Sequence, residues 1–272
     1  MNPCPYCGKF RKRSNEHIFP DWLHRLIPEC DLNYSARAGK VHKGAAKVGD
    51  VCKVCNNGEL STLDAYVKGL WHDHFSRFVL DGETATLTYD YDLLLRWLLK
   101  TCFNSARAER KGVEFILPYV PFIMGQMPRP NGIFLILSLI RPAVIAGKRV
   151  LPWPIRCSRV GLQGQELDWG ASWAVSLRSF QFLLMIEQEQ YDLEQARVFV
   201  KSIAKSMPGI LLEPDNTTIT ARTSHFDTLA AYGKHFLAHA AKYEPHVASH
   251  NAEQRKKKAM TTFVDFSITG GL

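Results

Sequence analysis

Apolar and polar positions follow three different rhythms along this chain, and each predicts a different kind of element. Between residues 91 and 107 the period is helical: Tyr91, Leu94, Leu95, Leu98, Cys102, Phe103 and Ala106 share one face, while Arg96, Lys100, Asn104 and Arg107 share the other. The same spacing recurs from Asn56, where Leu60, Leu63, Val67 and Leu70 form a stripe and Asn57 offers an N-cap side chain. Residues 113–188 are instead punctuated by proline and rich in β-branched and aromatic side chains. The stretches "GVEFILPYV", "IFLILSLI", "PIRCSRVG" and "ASWAVSLRSFQFLLMIE" predict four to six strands. A helix over 192–206, capped by Asp192, and a second over 224–243 are expected to follow, with a loosely held tail after His246.

The first 80 residues keep the third rhythm, a broken one. A cysteine knuckle and a basic run fill 1–14, a short strand-like stretch covers 16–20, and the helix "DWLHRLI" starts at Pro20-Asp21 and stops at Pro28. Residues 31–50 are small, polar and basic, which predicts a loop or weak hairpin. The turn in "DGETATLT" puts a module boundary near Leu80. The expected organisation is therefore α+β, with a small module over 1–80 and a larger mixed α+β domain over 81–272.

Composition narrows the partners. The 272 residues are 46% hydrophobic, as in a globular protein, and carry a net charge of +8 with a pI near 9.1. That excess favours an anionic partner, nucleic acid first, and it is densest in the first 80 residues. The longest apolar run, Gly132 to Ile140, falls far short of the roughly 20 residues that span a bilayer. The opening Met-Asn-Pro-Cys has neither a basic nor an apolar leader region, so the expected location is the cytoplasm, with no membrane partner.

Four of the seven cysteines form two Cys-x-x-Cys pairs, Cys4/Cys7 and Cys52/Cys55. Two such pairs match the soft, tetrahedral sulfur shell of structural zinc; reduced unliganded thiols and redox pairs are the alternatives. A shell closed by four thiolates has no open position, so this zinc would staple distant segments rather than catalyse. Stapling brings Glu16-His17, which follows the first pair, near Asn56, which follows the second. A carboxylate and an amide oxygen suit Mg²⁺ or Mn²⁺, and an imidazole beside them can accept a proton near neutral pH. Other polar clusters read more simply. His72-Asp73-His74 is a solvated helix end, Cys102 a core residue, and Ser224-His225 with Asp227 a helix cap. "RKKK" at 255–258 is a solvated run, whereas Lys9, Arg11, Lys12 and Arg13, together with Arg96, Lys100 and Arg107, are candidates for a track of phosphate contacts.

The pattern C-x2-C … EHIFP … C-x2-C-N resembles the zinc-stabilised branch of the HNH, or ββα-metal, endonucleases over residues 1–70. The resemblance implies a ββα-metal module in which Cys4, Cys7, Cys52 and Cys55 hold structural zinc. It also implies that Glu16 and Asn56 ligate a catalytic Mg²⁺ or Mn²⁺, that His17 is the general base, and that DNA is hydrolysed to 5′-phosphate and 3′-hydroxyl ends. This chain has Glu where the family often has Asp before the histidine. Its middle Asn has no plain counterpart: Asn33 is a candidate, and the position five before Cys52 is Lys47. Asn57 is a second candidate ligand. HNH nucleases with an unassigned second region look like effectors of bacterial anti-phage systems, including the HNH component of Zorya-type loci. The size of residues 81–272 suggests target choice, dimerisation or restraint of the nuclease, with a homo-oligomer or defence-system proteins as the expected partners. A zinc-dependent nucleic-acid-binding protein without catalysis and a structure-selective junction resolvase are the alternatives.

Overall fold

Strand β1 (Arg13–His17) carries the Glu-His pair, and Pro20 turns the chain out of it into the short helix α1 (Asp21–Leu26). A small hairpin follows, β2 (Leu32–Ser35) against β3 (Lys40–Lys43), where the sequence predicts a loop or weak hairpin. Strand β4 (Lys47–Cys52) then returns antiparallel to β1, with a bulge: Ser14 faces Val51 but Glu16 faces Val48. Opposite Asn15, β4 therefore carries one extra residue, which bends the pair and resets which side chains point inward. The computed structural model describes residues 2–27, 32–35, 40–145, 148–152, 154–160, 170–187, 192–206 and 209–223. The expected helix over 224–243, its Ser224-His225-Asp227 cap and the "RKKK" run lie outside the described residues.

Cys52 ends one element and starts the next. Its backbone is extended, and its Sγ accepts a hydrogen bond from the Cys55 N–H at 3.5 Å, capping helix α2 (Lys53–Cys55). The helical path continues through a wide turn at Asn56–Leu60, kinked at Gly58, into α3 (Ser61–Leu70) and a second wide turn at Trp71–Phe75. Asn57 is thus inside the helical run and does not cap it; the Cys52 thiol, accepting from the Cys55 N–H, takes that place. The predicted stripe of Leu60, Leu63, Val67 and Leu70 is buried.

Strand β5 (Thr84–Thr88) leads to the long helix α4 (Tyr91–Glu109), which begins where the Asp90 carboxylate accepts from the Leu93 N–H at 2.9 Å. It ends with Arg110 at φ 55°, a left-handed stop. The stretch "GVEFILPYV", predicted as a strand, is helical instead: α5 (Val113–Ile116), a tight turn at Leu117–Tyr119, and α6 (Val120–Ile123). The tight turn and α6 each place a proline in their first two positions, where its fixed φ favours a helix start. Ile116, Val120, Phe122 and Ile123 are then buried, with α5 and α6 packed against α4.

The predicted strand region supplies β6 (Ile133–Leu139), β7 (Ala143–Ile145), β8 (Lys148–Val150), β9 (Ile155–Arg159), β10 (Gly170–Leu177) and β11 (Phe180–Glu187). Helix α7 (Leu193–Ser206), with the Asp192 carboxylate accepting from the Glu194 N–H, precedes β12 (Ile210–Leu212) and β13 (Thr218–Arg222). An antiparallel sheet forms in the order β12-β6-β11-β10-β9, and β13 pairs with β5. Both faces of the five-stranded sheet are covered, which explains the near-continuous apolar runs in β6 and β11. Ile136, Leu183 and Met185 pack against Val200, Ile203 and Ala204 of α7. Leu135, Leu137, Phe180, Phe182 and Leu184, on the other face, join the main core with α4. That core runs from Cys4 to Ala221 without a break at the boundary expected near Leu80. No helix among the described residues is long and apolar enough to cross a membrane.

Candidate zinc centre and the Glu16-His17 strand

The four knuckle cysteines come together. Their Sγ atoms all lie within 4.8 Å of one another, and Cys7 and Cys52 are 3.8 Å apart. A tetrahedron of zinc–sulfur bonds of about 2.3 Å has edges of about 3.8 Å, so the donor set fits structural zinc. The first knuckle is shaped locally: the Gly8 N–H bonds to the Cys4 carbonyl at 2.8 Å, with Gly8 at φ 66°. The Cys52 N–H donates to the Cys4 Sγ at 3.3 Å and ties one knuckle to the other. Burial alone would raise the Cys52 thiol, but hydrogen bonds from Cys55 and the neighbouring thiols bring it down to about 7. Among the described residues, no other group of three or more His, Cys, Asp or Glu donors stands close enough to share a metal ion.

Asn56 reaches back to β1. Its Nδ2 donates to the Ser14 Oγ and to the Asn15 carbonyl, each at 3.0 Å. The start of the helix and the strand bearing Glu16-His17 are therefore joined directly, as the stapling argument anticipates. His17 is partly exposed, with Nε2 3.7 Å from Asp21 Oδ1 on α1. Burial lowers its pKa, and the positive charge of Lys47, its partner across the strand pair, lowers it further, while Asp21 pulls the other way. A neutral imidazole at physiological pH is the form that can accept a proton.

Glu16 goes elsewhere. Alternation along β1 and the adjoining bulge turn it inward, where it is 3% exposed. One carboxylate oxygen lies 2.6 Å from the Nζ of Lys100 on α4. The same ammonium donates to both oxygens of Asp64, at 2.7 and 2.9 Å, and Trp97 Nε1 donates to Asp64 as well, at 3.0 Å. Burial raises the pKa of Glu16 against the opposing pull of Lys100, whereas the two carboxylates outweigh burial and raise that of Lys100. A divalent ion at about 2.1 Å from the Glu16 oxygen would stand against this ammonium. Glu16 and Asn56 therefore do not form an open ligand pair in this structure, and the Mg²⁺ or Mn²⁺ site implied by the family resemblance does not fit.

The expected basic face of α4 is also corrected. Lys100 is fully buried. Arg96 donates through Nε to the Ile123 carbonyl at 3.1 Å and pairs with Glu59. Arg107 pairs with Asp50, donates to the Asn104 Oδ1 at 3.0 Å, and lies over the Tyr6 and Phe103 rings. Helix α4 is covered on its polar side by the N-terminal segments and α6, so these cations anchor neighbouring segments and do not line an open track. Lys9, Arg11 and Lys12 are exposed, with the aromatic Phe10 among them at 69% exposure. Arg13 is partly buried and donates to the Asn2 carbonyl at 2.5 Å.

Two residues central to this site, Asp64 and Asp21, carry no sequence signal of their role. Asp64 sits in an ordinary amphipathic helix, and only its helical offset from the buried stripe toward α4 could have suggested an inward carboxylate. Comparison with known proteins finds no matching family model, no matching curated protein and no matching solved structure.

Proposed function

We propose that this chain is a zinc-stapled nuclease that hydrolyses DNA phosphodiester bonds, with His17 as proton acceptor. One observation carries the reading: the four-cysteine cluster and the Asn56 bonds to Ser14 and Asn15 clamp the β1–β4 pair onto the helix that follows it. A strand pair tied in this way to the helix that follows it supports the ββα module that the motif resemblance implies. His17 stands at the partly exposed end of β1 and is held neutral by burial. In that state it takes a proton from, or orients, a water attacking phosphorus in line. Exposed Lys9, Arg11 and Lys12 offer charge to the nucleic-acid backbone beside the knuckle. The Glu16–Lys100 pair favours a second reading, a zinc-dependent nucleic-acid-binding protein without hydrolysis.

The test is cleavage of supercoiled, linear and branched DNA by zinc-loaded protein, with Mg²⁺ or Mn²⁺ in the buffer and His17→Ala run beside wild type. Wild type should nick or cut, and His17→Ala should be slower by about 10²-fold or more at unchanged DNA affinity. Changing Lys9, Arg11 and Lys12 together to Gln should weaken binding for all sequences and flatten the slope of log K against log salt by about 2 to 3. Binding without cleavage by wild type selects the second reading. Undiminished cleavage by His17→Ala removes the first.

A further inference from the structure

Lys100 is sealed completely from solvent, and it is held by two carboxylates from different elements. Burying an ammonium costs several kcal/mol unless it is paired, so its partners are part of how the fold tolerates it. Its bonds to Asp64 are two well-aligned hydrogen bonds, whereas its contact with Glu16 is a close ion pair. The positive charge of Arg107, itself paired with Asp50, also reaches Glu16. The immediate surroundings of the Glu16 carboxylate are thus already supplied with cationic charge from α4. Adjacent contacts draw the same strand onto the same helix: Asn104 Nδ2 donates to the His17 carbonyl at 3.3 Å.

We propose that Lys100 is the resident cation of Glu16, so that Glu16 anchors the His17 strand to α4 and does not ligate a divalent metal. Lys100 is then a positioning residue: it acts on His17 through Glu16 and the backbone of β1. The same site is at issue as in the nuclease reading, on which this inference rests for its functional meaning. Its content, however, is a metal affinity, which is measured without DNA.

The experiment is Mn²⁺ titration of zinc-loaded protein by electron paramagnetic resonance, with zinc content and circular dichroism confirming the fold of each variant. Wild type and Glu16→Gln should show the same Mn²⁺ affinity within twofold. A loss of tenfold or more in Glu16→Gln would overturn the proposal, since Glu16 would then be a metal ligand. Lys100→Met uncovers the Glu16 and Asp64 carboxylates and should gain Mn²⁺ affinity by tenfold or more, with the gain abolished in the Lys100→Met/Glu16→Gln double variant. A folded Lys100→Met protein with no such gain also counts against it. If Lys100→Met does not fold, the comparison of wild type with Glu16→Gln decides alone. Absence of DNA cleavage would remove the nuclease reading and leave these metal affinities, and the assignment of Lys100, as they are.

Discussion

At the scale of single residues, the fold acts directly on the protonation of His17. Burial and Lys47 hold its folded pKa below the ordinary imidazole value of about 6.5, against the attraction of Asp21. As pH falls through about 6.5, the unfolded chain takes up this proton before the folded one does. The contribution of His17 therefore lowers folding stability as pH drops through that window, levels off below the folded pKa, and vanishes above about 6.5. The proposed base stays competent over the same window. The acid limb of kcat/KM for DNA cleavage should accordingly lie below pH 6.5, and His17 ring resonances followed by NMR should titrate there in the free protein. Asp21→Asn removes the opposing charge and should move both further down. A limb above 6.5, or one unmoved by Asp21→Asn, would separate His17 from the titration.

At the scale of elements, α4 is the organiser. One side of it meets the sheet through the main core; the other receives the N-terminal segments through named polar contacts. Tyr6 packs edge-on against Phe103 at 5.4 Å and donates its hydroxyl to Asn104 Oδ1 at 2.8 Å. Arg107 closes this patch over both rings and pairs with Asp50 of β4. The pattern explains why the helix is amphipathic in sequence and yet buried nearly all round in its middle turns. Arg107→Ala removes the cap from two rings and the partner of Asp50, and should cost about 1–3 kcal/mol. In urea unfolding, the midpoint should fall with the slope m unchanged. Arg107→Lys should recover only part of the loss, because an ammonium cannot stack across two rings while bonding Asn104. A variant as stable as wild type would show that the N-terminal segments dock on α4 without this clamp.

At the scale of the whole molecule, three of the four knuckle cysteines are part of the common core. Cys4, Cys52 and Cys55 belong to the same buried cluster as Trp97, Phe103 and Trp173, so the staple and the sheet are not separate structures. Structural zinc contributes apparent binding energies on the order of 10 kcal/mol in small domains. Cys52→Ser should lose the metal and free residues 1–70, and the loss should also expose the side of α4 on which they rest. Elemental analysis should find one zinc per chain in wild type. Thermal melting of Cys52→Ser should then show a lower and broader transition rather than a wild-type transition for residues 81–272. Folded protein without zinc, or an unchanged second transition, would count against this coupling.

Much of this architecture is legible in the sequence because it rests on local or periodic chemistry. Paired cysteines announce their own cluster, Pro20-Asp21 starts α1, the 3.6-residue stripes give α3 and α4, and the long apolar runs give β6 and β11. What the sequence leaves open is the destination of charge. A helical period says which face of α4 is apolar, but whether the opposite face meets water depends on what packs there, and that comes from residues far away in the chain. Lys100 looks like a surface cation until Glu16 and Asp64 close over it. The motif "EHIFP" reads as ligand and base side by side. Strand alternation and the bulge opposite Asn15 instead send the carboxylate into the core and leave the imidazole half-buried beside Asp21. "GVEFILPYV" likewise has the residues of a strand, but prolines at its helix starts and the packing against α4 make it helical. In each case the deciding energy is the cost of burying a polar or charged group, or the gain from covering an apolar one, and both are set only when distant segments meet.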